Sequence, residues 1–147
     1  MSLFRQRGFS LPELLVVIAI GVLMAAIALP NLAQRIRSYR TVTAAQQVRG
    51  DLQAARMRAF SENVRFRMVL TANGDAYVLE RRNPVTLVYA PVTAYSLPTF
   101  TRFTGVVTSP VFLPSGLVNS PGAITVVNSQ GEGRTITVSA VGSIRIP

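Results

Sequence analysis

The sequence predicts an α+β fold in which one long N-terminal helix packs on a C-terminal antiparallel β-sheet. Three observations support this prediction. An uncharged, mainly apolar run extends from Leu14 to Gln34, and an amphipathic helical pattern then continues to residue 62. Short segments of alternating apolar and polar residues, separated by Gly and Pro clusters, fill residues 63–147.

Composition argues against an enzyme. The 147 residues contain no cysteine, histidine, lysine or tryptophan. Their absence removes the commonest general bases, covalent nucleophiles and transition-metal ligands. The six acidic residues are scattered, so a catalytic carboxylate pair is not expected. We therefore predict no enzymatic activity, no cofactor and no metal site, with room for one globular domain of about 85 to 115 residues after the apolar run.

The chain is strongly basic. Its formal charge of +9 comes from fifteen arginines set against the six acidic residues. Such an excess fits a nucleic-acid or anionic-lipid partner. Exclusive use of arginine is also typical of codon bias, and exposed arginines keep proteins soluble. We prefer this second interpretation and keep the first open.

The N-terminal helix carries a carboxylate among apolar residues. Glu13 is the only charged residue between Arg7 and Arg35. Burying a carboxylate there is costly unless it is protonated, reaches an interface or finds a partner. One interpretation is an ordinary secretory signal, cleaved after Ala26-Ile27-Ala28. A retained membrane helix fits better, because the 21 uncharged residues from Leu14 to Gln34 would extend about 32 Å as a helix.

The second half of the helix is predicted to be amphipathic and to end near Asn63. Pro30 lies at the junction, where its ring would clash with the Ala26 carbonyl and is expected to kink or locally melt the helix. Core-facing residues then recur three and four positions apart, namely Ala45, Val48, Leu52, Ala55 and Ala59. An earlier stripe points elsewhere and consists of Leu32, Ile36 and Tyr39.

From Val64 the pattern changes to that of β-strands. Two runs, Val64–Leu70 and Ala76–Arg82, flank Asn73-Gly74, which is a strong hairpin signal. Further strands are predicted at Val85–Tyr89, Val106–Leu113, Ala123–Val127, Arg134–Val138 and Ser143–Ile146. Residues 91–105 are predicted to be the least regular segment of the domain.

The segment GFSLPELLVVIAI, residues 8–20, resembles the processing and assembly segment of type IV prepilins and of the pseudopilins of type II secretion. The resemblance implies cleavage after Gly8 by a prepilin peptidase and methylation of the new N-terminal Phe9. It also implies that the helix is retained, first as a membrane anchor and later as filament core. Pro30 matches a proline found at the equivalent point of type IV pilins.

The same resemblance implies partners and a location. The partners are other pilin or pseudopilin subunits, the prepilin peptidase and the bacterial inner membrane. Arg5 and Arg7 favour a cytoplasmic leader, since positive charge tends to stay on that side, and the chain beyond residue 31 would then lie in the periplasm.

Glu13 acquires a specific role if this cleavage takes place. Its carboxylate could neutralise the new α-amino group of a neighbouring subunit. Because an unpaired charge is costly in an apolar setting, we expect the pairing to fix the axial register between subunits more than it adds net stability. A side chain that only reaches the lipid headgroups is the alternative.

Other segments resemble the GspH/FimT branch of minor pseudopilins, whose members are low-abundance subunits at or near the filament tip. They are DLQAAR at 51–56, ENV at 62–64, FLPSG at 112–116 and GSIRI at 142–146. The resemblance implies a pilin fold. The expected organisation is a leader peptide in residues 1–8, a transmembrane assembly helix in 9–30, an amphipathic helix in 31–62 and an antiparallel β domain in 63–147.

DNA binding for natural transformation is the alternative function that this resemblance implies. Some FimT-like members bind DNA through a C-terminal Gly-Arg-x-Arg motif. Here the corresponding residues are Gly142-Ser143-Ile144-Arg145, so only the second arginine is kept. Beyond Pro30 there are 13 arginines against five acidic residues. The candidate nucleic-acid contacts on or near the C-terminal strands are Arg102, Arg134 and Arg145.

Overall fold

The structure is a computed structural model that describes residues 10–105 and 108–147, without the side chains of residues 28–34 and 37. The chain divides into two units, Met1–Ile36 and Arg37–Pro147. In the described part, the elements are α1 (Leu11–Ser61), β1 (Phe66–Leu70), β2 (Ala76–Arg82), β3 (Tyr89–Ser96), β4 (Thr101–Thr104), β5 (Val111–Phe112), β6 (Val118–Asn119), β7 (Gly122–Asn128), β8 (Gly133–Val138) and β9 (Ile144–Arg145).

Helix α1 ends where the sequence pattern changes. Asn63 adopts a left-handed backbone conformation, with φ of 52°. Its N–H donates to the Phe60 carbonyl at 3.4 Å, and the Val64 N–H donates to the Ala59 carbonyl at 3.3 Å. These two bonds form a Schellman motif, in which asparagine takes the place that glycine usually holds. The predicted end near Asn63 is confirmed.

The second half of α1 buries the predicted apolar stripe. All five of its residues from Ala45 to Ala59 are buried, and Thr41 and Ala44 extend the stripe towards the N-terminus. The earlier stripe differs, because Ile36 and Tyr39 are exposed. Alanine is prominent in the buried stripe, and its small side chain lets a sheet approach the helix closely.

The described strands form two antiparallel sheets. A five-stranded sheet has the order β3-β2-β1-β5-β6, and a four-stranded sheet has the order β4-β7-β8-β9. Register is regular in the first hairpin, where Leu70 pairs with Tyr77 on either side of the turn that contains Asn73 and Gly74. The α+β fold is confirmed, with its strands divided between two sheets.

The core of the Arg37–Pro147 unit combines the helix stripe with the inner faces of both sheets. Its largest fully buried side chains include Phe66, Tyr77, Phe103, Phe112 and Ile124. Burial of these aromatic and branched side chains removes apolar surface from water, which is the main favourable contribution to folding.

One polar network lies inside this core. The Tyr77 hydroxyl donates to Asp51 Oδ2 at 2.5 Å and accepts from Gln47 Nε2 at 3.0 Å. Burial, together with the hydrogen bond to Asp51, raises the pKa of Tyr77 well above its ordinary value. The Tyr77 ring also stacks on Tyr95, with 5.1 Å between centroids. The network therefore ties the helix to β2 and β3 through a fully satisfied buried hydroxyl.

Two loops hold the start of the helix segment in this unit. Ser38 Oγ donates to Glu132 Oε2 at 2.7 Å, and Asn128 Nδ2 donates to the same oxygen at 2.9 Å. These two hydrogen bonds lower the pKa of the Glu132 carboxyl. On the other side, the Arg40 guanidinium lies 5.4 Å from the centroid of the Phe100 ring. Both contacts fix the helix against loops that follow β7 and β3.

Two predicted strands and the predicted irregular segment differ from the structure. Residues 85–88 form a turn and loop rather than a strand, so β3 begins only at Tyr89. The segment expected to be least regular, residues 91–105, contains most of β3 and the whole of β4. Of the predicted strand Val106–Leu113, only Val111 and Phe112 are extended in β5, while residues 106 and 107 lie outside the described residues.

Over residues 10–105 and 108–147, no helix has an apolar stretch long enough to cross a membrane. The transmembrane span predicted for residues 9–30 begins at Phe9, which lies outside this part, and it stays a prediction.

Candidate assembly segment and arginine surface

The predicted assembly segment is described from residue 10 onwards, so Gly8 and Phe9 lie outside the described residues. Glu13 lies in the first turn of α1 and is exposed. Its N–H and that of Leu14 donate to the Ser10 carbonyl at 3.0 and 3.1 Å. A carboxylate in the first helical turn is favoured by the partial positive charge of the unpaired N–H groups there. Glu13 is therefore held at a helix end, available to a cationic partner.

The helix around Glu13 is apolar on every side. All described side chains from Leu11 to Ile27 are exposed, and none of them except Glu13 carries a charge. An amphipathic helix would show one polar face, whereas an all-round apolar helix requires apolar surroundings. The segment from Leu11 to Ile27 is of the second kind.

Pro30 lies inside helix α1, whose assignment is continuous across it. The local melting that the proline could cause is therefore not seen in the backbone. The kink predicted at this position stays a prediction.

The three candidate arginines lie in the four-stranded sheet, on two different faces. In β7 the side chains of Ile124 and Val126 are buried, so Val127 points outwards. Arg102 is the cross-strand partner of Val127 and shares that outer face. Arg134 is paired with the buried Val126 and lies on the opposite face, at the exposed start of β8.

Arg145 shares the outer face with Arg102 but lies at the opposite edge. It pairs with Thr137, whose neighbours Ile136 and Val138 point into the core. Strands β4 and β9 are the two edges of this sheet, about 14 Å apart across three strand spacings. The register also offsets Arg145 from Arg102 by four residues, about 13 Å, along the strands, so their backbone positions are roughly 20 Å apart. The structure therefore places Arg102 and Arg145 on one face of the sheet and Arg134 on the other, and nucleic-acid contact by these arginines stays a prediction.

Arg145 lines an open groove together with Ser143. Its Nε donates to Ser143 Oγ at 3.2 Å. The groove has a volume of 310 Å³ and is also lined by Thr137, Ser139 and Val141. Ser143 stands where the DNA-binding motif has its first arginine, and here it accepts a hydrogen bond from Arg145. An arginine at that position would add a second positive charge. The hydroxyl groups of Thr137, Ser139 and Ser143 in the groove can donate hydrogen bonds to a phosphate, but Arg145 is the one cation among the described residues in its lining.

Sequence reasoning missed a contact that joins three of the segments quoted above. Arg56 Nε donates to the Gly116 carbonyl at 3.2 Å. Gly142, with φ of 79°, packs against both, because a Cβ placed there would lie 2.5 Å from that carbonyl oxygen and 2.6 Å from Arg56 Nε. The segments at 51–56, 112–116 and 142–146 therefore meet in space. Packing between the helix and the two loops explains why arginine and glycine occur at these positions. The two glycines, Gly116 and Gly142, were the sequence features that could have indicated this close packing.

Comparison with known families decides the family of the chain. A family model described as type II transport protein GspH matches residues 44–142, about two thirds of the chain. The chain belongs to the GspH family. A model described as a prokaryotic N-terminal methylation motif matches residues 3–29 of this GspH-family chain, a range that includes Gly8, Phe9 and Glu13. The resemblance predicted from the sequence is confirmed.

Solved structures show which fold this GspH-family chain has. The minor pseudopilin EpsH from the type 2 secretion system of Vibrio cholerae shares 12% sequence identity and has a TM-score of 0.62, covering 74% of this chain and 96% of that chain. The type IV minor pilin FimU of Pseudomonas aeruginosa shares 20% identity with a TM-score of 0.55, covering 71% of this chain and 90% of that chain. The predicted pilin fold is confirmed. No curated protein sequence matches this chain.

Proposed function

We propose that the chain is a structural, non-enzymatic minor subunit of a type IV pilus or a type II secretion pseudopilus, placed near the filament tip. The observation that carries this proposal is the helix from Leu11 to Ile27, exposed and apolar on all sides with Glu13 as its only charge. Such a surface is stable in lipid or among other apolar helices. A subunit that leaves the inner membrane to enter a filament meets these two environments in turn.

Processing is the first step of this function. A prepilin peptidase removes residues 1–8 on the cytoplasmic face, and the new N-terminal Phe9 is methylated. The match of residues 3–29 to a methylation motif supports this step. The remaining chain stays in the inner membrane through residues 9–30, with residues 31–147 in the periplasm, until other pilin subunits take up the helix.

The fold supports the minor role, whereas the position near the tip is what the resemblance to the GspH/FimT branch implies. The two solved structures above are described as a minor pseudopilin and a minor pilin, and this chain shares their fold. Scaffold alone does not fix function, so direct measurements on the chain are needed.

The mature N-terminus tests the processing step. Mass spectrometry of the protein purified from membranes is expected to show a chain that begins at methylated Phe9. Gly8→Val is expected to keep the leader, because a β-branched side chain replaces the residue before the cut. The matched control Ser2→Ala, which lies in the same leader, should be processed normally. A mature chain that begins at Leu29 would instead identify an ordinary secretory signal and contradict the proposal.

DNA uptake is a second candidate function, favoured by one observation. Arg102 and Arg145 lie on the same outer face of the four-stranded sheet, with the exposed or half-buried threonines of β7 and β8 between them. The Arg37–Pro147 unit also carries twelve arginines against five acidic residues. This excess gives the unit a general attraction for a polyanion.

DNA binding is tested by comparing substitutions of Arg145 and Arg134, which lie on opposite faces of the sheet. If DNA binds this surface, the full chain in detergent should retard DNA, and Arg145→Ala should weaken binding and reduce the salt slope by about 1. Arg134→Ala removes the same charge from the opposite face and should have the smaller effect. Absence of retardation at low salt, or equal effects of the two substitutions, would show that this face does not bind DNA.

A further inference from the structure

The connection between β2 and β3, residues 83–88, presents an apolar tip to solvent. Val85 is 86% exposed, Val88 63% and Leu87 56%. Single exposed apolar side chains are common on protein surfaces, but three within four consecutive positions form a continuous patch. These three residues are called the apolar tip below.

The apolar tip is ordered by hydrogen bonds within its own loop. Asn83 Oδ1 accepts from the N–H groups of Val85 at 2.8 Å and Thr86 at 3.1 Å, and Arg82 Nε donates to the Leu87 carbonyl at 3.2 Å. Leu87 is held in a left-handed conformation, with φ of 61°, which glycine would adopt more easily because it has no Cβ. The loop therefore holds an apolar side chain in an unfavourable backbone conformation, and such strain is often kept for a function.

A cationic cavity adjoins the apolar tip. It has a volume of 200 Å³, and its apolar walls include Val64, Pro84, Leu87 and Pro114. Two arginines, Arg65 and Arg82, complete the lining together with Asn63. The exposed Arg65 side chain makes no ion pair within the described residues. The acidic residue at the end of the helix, Glu62, is already paired with Arg81 at 2.7 Å.

We propose that the apolar tip and this cavity together bind an acidic segment of another protein, in which a carboxylate lies next to an apolar side chain. Arg65 and the free N–H groups of Arg82 would bind the carboxylate, since guanidinium groups form charge-assisted hydrogen bonds with it. Leu87 and Val85 would cover the neighbouring apolar side chain. The ordered loop lowers the entropic cost of binding.

Charge argues against a second copy of this chain as the occupant. Four of the five acidic residues in the Arg37–Pro147 unit are already engaged by other side chains: Asp51, Glu62, Glu80 and Glu132. Asp75 is the one acidic side chain of that unit without a side-chain partner among the described residues. Two strongly basic copies repel each other, so the partner is a different, acidic protein.

Site-specific photo-crosslinking in the cells that make the full chain tests this proposal. A benzoylphenylalanine photo-crosslinker replaces Val85, whose exposure makes a folding defect unexpected, and mass spectrometry locates the crosslinked segment. We expect an adduct with one protein, at an apolar residue that has Asp or Glu within a few positions. Arg65→Gln should lower the adduct yield about fivefold, whereas Arg49→Gln, which removes an exposed arginine from α1, should leave it unchanged.

Several results would overturn the proposal. They are no adduct at position 85, an adduct on a second copy of this chain, an adduct on lipid, and an adduct on a segment without a carboxylate. Equal losses for Arg65→Gln and Arg49→Gln would show general charge attraction instead of a site. The surface does not involve Glu13, so these results are independent of whether the chain assembles through its N-terminal helix.

Discussion

Replacing Glu13 by alanine is expected to leave the chain inserted and processed, but to lower its incorporation into filaments at least about tenfold. Glu13 is exposed in the first turn of a helix that is otherwise apolar on every side. If the proposed cleavage takes place, each incoming subunit carries a new α-amino group. That group would be buried without a partner unless a carboxylate meets it.

The size of this effect follows from the cost of an unpaired charge. A buried ion pair adds little net stability, but removal of one partner leaves the other charge uncompensated, at a cost of about 3–5 kcal/mol. The carboxylate therefore acts mainly on register, because only one axial offset between subunits brings it to the amino group.

Filament incorporation is measured by comparing the chain in sheared filaments with the chain in membranes. Glu13→Gln should lose as much incorporation as Glu13→Ala, because an amide cannot neutralise an ammonium group. Asp75→Ala is the matched control, since it removes one exposed carboxylate from a turn outside the helix. Normal incorporation of Glu13→Gln would show that the charge is not needed, and a loss with Asp75→Ala would show that net charge matters more than position.

The helix and the first hairpin were predictable because their signals are local. The buried stripe from Ala45 to Ala59 follows the helical period, and the end near Asn63 coincides with its change. Asn73-Gly74 predicts a turn because asparagine and glycine tolerate the positive φ that tight turns need, and Asn73 has φ of 56°. In each case the residues that determine the structure lie within a few positions of it.

The errors arise where the backbone conformation depends on a side-chain hydrogen bond or on the position of a strand in its sheet. Residues 85–88 were assigned to a strand for their β-branched and apolar residues, but Asn83 binds two backbone N–H groups there and forms a turn. The threonines and Pro98 suggested an irregular segment over residues 91–105, yet β3 continues through Pro91, because β3 is an edge strand of its sheet. An edge strand tolerates a missing N–H, and a single sequence does not show which strand is the edge.

The candidate sites were also predictable only where the signal is local. The exposed apolar helix around Glu13 follows directly from composition, since no residue there is polar enough to form a face. The sequence could place the candidate arginines on or near strands, but it could not show on which face of the sheet each one lies. That face is known only once the structure shows which neighbouring strand residues are buried. The contact of Arg56 with Gly116 joins residues sixty positions apart, a separation that no local pattern describes.

Gly142→Ala is expected to destabilise the Arg37–Pro147 unit by about 3 kcal/mol. Two costs contribute to this loss. A non-glycine residue at φ of 79° is strained by about 1 kcal/mol. The added Cβ would also lie 2.5 Å from the Gly116 carbonyl oxygen and 2.6 Å from Arg56 Nε, so the 112–116 loop or the helix side chain must move. Thermal unfolding of the full chain in detergent should show a Tm lower by roughly 10 °C or more.

Gly131→Ala separates the two costs. Gly131 has φ of 84°, close to that of Gly142, but no atom lies within 4 Å of its added Cβ. It should therefore lose only about 1 kcal/mol. Equal losses at the two glycines would show that backbone conformation accounts for the whole effect and that the packing against Arg56 is unimportant.

A double-mutant cycle then apportions the packing cost at Gly142. Arg56→Ala alone should cost about 1 kcal/mol, because it removes a half-buried hydrogen bond to the Gly116 carbonyl. In that background Gly142→Ala no longer meets the guanidinium, so its cost should fall, although the clash with the carbonyl oxygen stays. Strict additivity would mean that the guanidinium moves aside freely. The packing cost at Gly142 would then come from the Gly116 carbonyl oxygen, and Arg56 would stabilise the unit only through its hydrogen bond to that carbonyl.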